Sequence, residues 1–245
     1  MLGLCAGLYI LNWCDEMRMN DYSKQSLCDI AFLYIKKKIL SGNLKSGDKL
    51  IESDLSLELG ISRAPVREAL RELNVHGFIA FSPRKGNRVL EMTQEEILEV
   101  FEIRISLELQ ILRILVEQRM LSENDFAELS ALTGKMLESE HQNIPEDERI
   151  YRLNSLDIAF HRYLWNASGS KRRAQYLEDL FFQLLIAMNK DVVSLGTFEE
   201  KAREHALITD ALRSGNLKKV NGQFQDHLKE YVAAFFTGIT DGSVK

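Results

Sequence analysis

The sequence predicts a mostly α-helical protein in two parts, a winged helix-turn-helix in front and an all-helical bundle behind. Three observations predict it. Between Tyr22 and Glu91, two short helical segments meet at a Gly-containing turn, and two short β-type runs then flank a basic turn. From Thr93 onward the apolar residues recur at helical spacing and nothing alternates as strands do. The charge divides at the same place: residues 22–90 hold 12 Lys and Arg against 7 Asp and Glu, and the remainder holds 19 against 29. A basic module on an acidic body implies that only the front end meets a polyanion.

The front module builds in order. Leu27, Ile30, Ala31, Tyr34, Ile35 and Ile39 mark a first helix, with Lys36, Lys37 and Lys38 near its negative end and Gly42 to stop it. After the turn Leu44–Asp48, Ser53 is expected to cap a short helix carrying Leu55, Leu57 and Leu59 and ending at Gly60. Ser62 is the expected N-cap of a third helix, Arg63 to His76, with Pro65 tolerated in its first turn. Phe78–Phe81 and Val89–Leu90 read as strands around the basic turn Ser82–Arg88.

Placement on the third helix carries the chemistry. Arg63, Arg67 and Arg71 recur every four residues on one face, while Val66, Leu70 and Leu73 form the opposite, core-facing stripe. The N-terminal end, with Ser62, Arg63, Pro65 and Arg67, is shaped to enter a major groove of double-stranded DNA, where Arg pairs with guanine O6 and N7. Lys85 and Gly86 are the expected wing contacts. The competing reading is a solvated face in which Arg67 and Arg71 pair with Glu68 and Glu72.

The body reads as six helices: Thr93 (with Glu96 in a capping box) to about Met120, Ser122 to about Gln142, Asp147–Ala167, Ser170–Val193, Thr197–Ser214 and Leu217–Phe236. Polar residues on its apolar stripes are the informative ones. Asp157 and His161 are four apart on one face, and His205 and His227 lie on two further stripes. One Asp and three His suit a divalent transition ion, zinc first, with nickel or manganese as alternatives. Taken singly, each His reads equally well as a hydrogen-bonded core residue. Arg104 and Glu108 share a stripe, either as an internal salt bridge or with Arg104 free to hold a ligand carboxylate; Asn154, one turn before Asp157, is a second ligand candidate. A hydrolytic centre would also need a placed general base, as in HExxH, and neither Glu204 nor Glu230 completes such a motif. An enzyme is therefore not expected.

Bulk properties exclude other classes. The three cysteines, Cys5, Cys14 and Cys28, lack CxxC spacing and fit a reducing cytoplasm. Met1–Leu11 is apolar but lacks a basic n-region and is too short to span a bilayer, so a secretory signal, a membrane span and a membrane partner are not expected. Met17 and Met19 favour a start assigned too early, with a short added helix as the alternative. The expected division is an N-terminal extension at 1–21, the DNA-binding module at 22–91, the helical domain at 93–238 and a tail at 239–245.

"LELGISRAPVREALRELNVHGFI" with "PRKGNRV" resembles the DNA-binding domain of the GntR family of bacterial regulators. "LNSLDIAFHRYLWNASGS", "REHALI" and "DHLKEY" resemble the helical effector domain of its FadR-type, or FCD, subgroup. The resemblance implies that Arg63 and Arg67 read bases, that Gly86 is the wing glycine, and that Asp157, His161, His205 and His227 hold a metal beneath a small carboxylate bound by Arg104. It further implies a homodimer on a palindromic operator, acting as a repressor. A metal that is itself the signal, or purely structural, is the alternative. Ser53 departs from the family pattern, where many relatives carry an Arg that also reaches DNA, and so leaves open whether the operator is a standard one.

Overall fold

The computed structural model describes residues 26–188 and 197–240, with side chains through 229. The expectations for 1–21, for the end of the helix at Val193 and for the tail from 241 lie outside the described residues. In the head, α1 (Leu27–Leu40) opens on a Ser26/Asp29 capping box and packs across α3. β1 (Lys49–Leu50), α2 (Glu52–Leu59), α3 (Arg63–Val75), β2 (Ile79–Ser82) and β3 (Gly86–Val89) follow. The sheet order is β1-β3-β2, antiparallel throughout, with Lys49 opposite Arg88 and Phe81 opposite Asn87.

Several local expectations change. The segment at Lys49–Leu50, which carries no strand signal in two residues, is a third strand closing the wing against β3. Ser53 does not cap α2; Ile51 is the N-cap residue, and the Ser53 hydroxyl donates to Asp54 Oδ1 at 3.0 Å. Ser62 does occupy the N-cap position of α3 but makes no side-chain capping bond. Leu57 is 85% exposed, so the α2 stripe buries Leu55 rather than three leucines. Arg88 lies in β3 rather than at the wing tip, and its Nη1 donates to the Gly47 carbonyl at 2.7 Å. Pro83, Arg84 and Lys85 are left as the turn, and Gly86 follows at φ +76°, a conformation that needs glycine.

The body contributes α4 (Gln94–Glu117), α5 (Glu123–Glu140), α6 (Glu146–Ala167), α7 (Lys171–Met188), α8 (Phe198–Arg213) and α9 (Leu217–Thr240). Thr93/Glu96, Ser122/Asp125 and Thr197/Glu200 form capping boxes, so three of these starts are written locally. α5 packs on α6 and α8, while α4 packs on α7 and α9.

Head and body share one apolar cluster rather than meeting at a polar seam. Phe78, just before β2, packs on Phe182 of α7 with ring centroids 4.8 Å apart. Lys36 of α1 is buried there, its ammonium 4.3 Å from the Phe182 ring, 4.9 Å from Phe78 and 5.6 Å from Phe32. Around this seam Asn154 Nδ2 donates to the Leu40 carbonyl at 3.0 Å, and Lys37 pairs with Glu148 at 3.1 Å.

Candidate metal centre and DNA-facing surface

α6, α8 and α9 bring four buried donors to one point. Asp157 and His161 come from α6, His205 from α8 and His227 from α9, and one ligand atom from each lies within 4.8 Å of the others. Each ring is turned by a contact at its far nitrogen. His205 Nδ1 donates to the Lys201 carbonyl at 2.6 Å, and His227 Nδ1 donates to Glu204 Oε2 at 2.7 Å. That leaves Nε2 of both rings facing inward, His205 Nε2 toward Asp157 Oδ1 at 3.1 Å. His161 Nε2 stands 3.3 Å from His227 Nε2, with Glu108 Oε1 3.5 Å from its Nδ1.

The donors fit a cation. Burial, reinforced by Arg104 at His161 and by His205 at His227, holds both imidazoles well below the usual histidine range, so they are neutral. With the His227 proton fixed on Nδ1, its Nε2 lone pair faces His161 Nε2 at 3.3 Å. Burial acts to raise the Asp157 carboxyl, but His205 beside it outweighs that and holds the group well below the usual carboxylate range. Lone pairs and a carboxylate converging in a closed space are the arrangement that a divalent ion satisfies with bonds of about 2.0–2.2 Å. Backbone and carboxylate partners on the outer nitrogens are the supports such ligands carry.

Arg104 and Glu108 of α4 flank this centre, both buried, with Arg104 Nε 3.4 Å from Glu108 Oε1. Arg104 also stacks on Phe181, 4.6 Å from the ring centroid, and its Nη2 makes no hydrogen bond. Burial pushes Glu108 up to about 7, against the pull of Arg104 and of Trp165, whose Nε1 donates to Glu108 Oε2 at 2.8 Å. Arg104 is thus ion-paired with Glu108 and leaves its Nη2 without a hydrogen bond. Asn154 is buried with its amide given to Leu40, which makes it a tie between the two parts of the chain. Glu204, weighed in the sequence only as a general base, and the Lys201 carbonyl are the hydrogen-bond partners of His227 and His205 that single-residue reasoning did not supply. The four-residue spacing of Lys201 and His205 was the available signal for the second.

On the head, Ser62, Arg63, Arg67, Arg71 and Lys85 are exposed, Pro65 and Gly86 half-buried, and Val66, Leu70 and Leu73 buried as the stripe requires. Arg71 pairs with Glu68 at 2.8 Å. Arg67 turns away from Glu68 and Glu72 and grips Glu52 of α2 instead, through Nε at 3.2 and 3.1 Å and Nη2 at 2.9 Å.

A recognition helix with an exposed arginine face, a wing and a helical body around a buried donor cluster defines a winged-helix DNA-binding regulator. The chain belongs to the GntR family: the family of bacterial regulatory proteins of that name matches residues 30–89, and the FCD domain matches residues 99–230. It is 28% identical over 204 residues to the HTH-type transcriptional regulator YdhC of Bacillus subtilis (strain 168), covering 82% of this chain and 84% of that protein. It is 25% identical to the HTH-type transcriptional repressor GlaR of Escherichia coli (strain K12), covering 80% and 90% of the two chains. Among solved structures, E. coli McbR/YncC superposes with a TM-score of 0.73 at 22% identity, covering 88% of this chain and 99% of that one, a likeness of fold. Among the described residues no helix is long and apolar enough to cross a membrane.

Proposed function

We propose that this DNA-binding regulator is a dimeric repressor that binds a palindromic operator and responds to a small organic acid held beside a metal in the helical domain. One observation carries the reading: four buried metal-type donors lie next to a buried arginine with an unused Nη2. Asp157, His161, His205 and His227 would hold the ion, and the ion would supply a positive centre able to bind a carboxylate oxygen. Arg104 would take the remaining carboxylate oxygen through its fork. Repression is supported by the name of the relative GlaR, a transcriptional repressor, and a twofold operator by the half-site geometry general to dimeric helix-turn-helix proteins.

α7 connects the two ends, since it borders the donor cluster through Phe181 and the head through Phe182. A ligand switches such a molecule only through different affinity for its DNA-bound and free arrangements.

The test is a thermal-shift screen of the full chain against small carboxylic acids, with metal retained or stripped. Stabilisation by one acid, only with metal and absent in Arg104→Ala, supports the reading. A large loss on stripping with no response to any acid would overturn the organic-acid part. That outcome would favour a metal that is structural or is itself the signal, a reading consistent with the Arg104 charge being already met by Glu108.

A further inference from the structure

We propose that Glu52 is a positioning residue for DNA reading: it holds the side-on edge of the Arg67 guanidinium so that the end-on edge is presented, pre-oriented, to a base pair. The inference rests on the reading of Arg67 as a base-contacting residue and adds what aims it.

The contact is built across two elements. Glu52 is the first residue of α2 and Arg67 lies on the second turn of α3, 15 positions on, so the helix-turn-helix packing itself sets their spacing. A carboxylate in the first turn of α2 is favoured by the helix dipole and needs no other cation to hold it there. It takes Nε and Nη2 of Arg67 at 2.9–3.2 Å, a two-point grip that fixes the guanidinium plane as well as its position. Guanidinium has a second two-point edge, Nη1 with the remaining Nη2 hydrogen. Nη1 has no hydrogen bond among the described residues, and the Arg67 side chain is 54% exposed.

The other arginines of the face are not held this way. Arg63 has no ion pair among the described residues, and the Arg71–Glu68 pair lies within one helix with both side chains more than half exposed. A paired Arg67 also carries little net charge. It therefore adds little to the long-range attraction of phosphates, which follows net charge, and suits the guanine edge, where two aligned donors discriminate. Freezing the side chain before binding lowers the rotamer entropy lost on contact. Exposed ion pairs by themselves contribute little stability, so the consequence falls on recognition rather than on folding.

The experiment uses the full-length protein and two duplexes: one that the wild type enriches from a pool with a randomised core, and a scramble of it. Affinities for both are measured across a salt series for Glu52→Gln, Glu52→Asp, Arg67→Ala and the Glu52→Gln/Arg67→Ala double variant. Glu52→Gln is expected to lower the ratio of selected to scrambled affinity about tenfold, with scrambled binding equal or stronger because a negative charge has left. In the Arg67→Ala background the same change is expected to leave the ratio where it is. Unaltered melting of Glu52→Gln would separate the effect from folding, and Glu52→Asp would recover part of the ratio. An equal rise in both affinities would make Glu52 a simple repelling charge and overturn the proposal, as would no change at all. If Arg67→Ala leaves the ratio intact, the base-contact reading of Arg67 itself fails; if it abolishes the ratio while Glu52→Gln does not, only the positioning role fails.

Discussion

Phe181 and Phe182 are consecutive on α7, their rings 6.4 Å apart and nearly perpendicular, yet they serve different halves of the molecule. Phe181 lies 5.7 Å from the His161 ring and under the Arg104 guanidinium. Phe182 packs on Phe78 and on the Lys36 ammonium of the head. One helix step thus separates the donor cluster from the seam that positions the recognition helix and wing.

Phe182→Ala is expected to lower stability by about 3–5 kcal/mol, the cost of emptying a buried aromatic site. Because the void opens at the seam, DNA binding is expected to weaken while metal binding persists. Urea unfolding and metal titration of the same variant check both; loss of metal binding would place Phe182 in the donor cluster's support instead.

Lys36 gives a pH signature. Burial pushes its ammonium down to about 7, with Glu178 acting against that shift and Arg162 with it. A base whose folded pKa is depressed leaves the unfolded chain holding more protons between about pH 7 and 10.4, so its penalty is full at pH 7 and fades as pH rises toward 10.4. Three aromatic faces return part of the cost. Lys36→Met is therefore expected to be about 1–2 kcal/mol more stable than wild type at pH 7, with a smaller gap at pH 9.5. Urea midpoints at the two pH values decide it; a less stable variant at pH 7 would show that the rings outweigh desolvation.

Removing Arg104 exposes the opposite case. Glu108, raised to about 7, gives up its proton to pair with Arg104 at a higher pH than in the unfolded chain, so its contribution is present below about pH 4.5 and lost as pH rises through about 7. Without Arg104 that carboxyl keeps the Trp165 indole as a hydrogen-bond donor but loses its cation, so the window extends upward. Arg104→Ala is expected to cost about 3–5 kcal/mol at pH 8 and less at pH 6. Equal losses at both would mean that Glu108 stays neutral throughout.

Metal and wing are tested separately. Chelation is expected to lower the melting temperature, zinc to restore it, and His205→Ala to abolish the restoration. A chelation-insensitive melting temperature would argue for a hydrogen-bonded histidine cluster. On DNA, Lys85→Ala is expected to weaken selected and scrambled duplexes alike and to flatten the salt dependence by about one unit, as loss of a phosphate contact does, whereas Arg63→Ala should reduce the selected affinity more.

Much of this protein was legible in sequence because its determinants are local. Thr93 with Glu96 and Ser122 with Asp125 cap their helices within one turn, and the third helix announces its buried and arginine faces by spacing alone. Asp157 and His161 share a face for the same reason. Other features depend on packing between distant segments. The inward edge of His227 is chosen by Glu204 on another helix, Arg67 finds Glu52 rather than its sequence neighbours, and Lys36, one of three similar lysines, is the one buried because α7 brings Phe182 over it. Helix periodicity says which way a side chain points from its own axis. Which partner it meets is set by how two axes cross, and that was decided only by packing: within the bundle for His227, within the head for Arg67, and between head and bundle for Lys36.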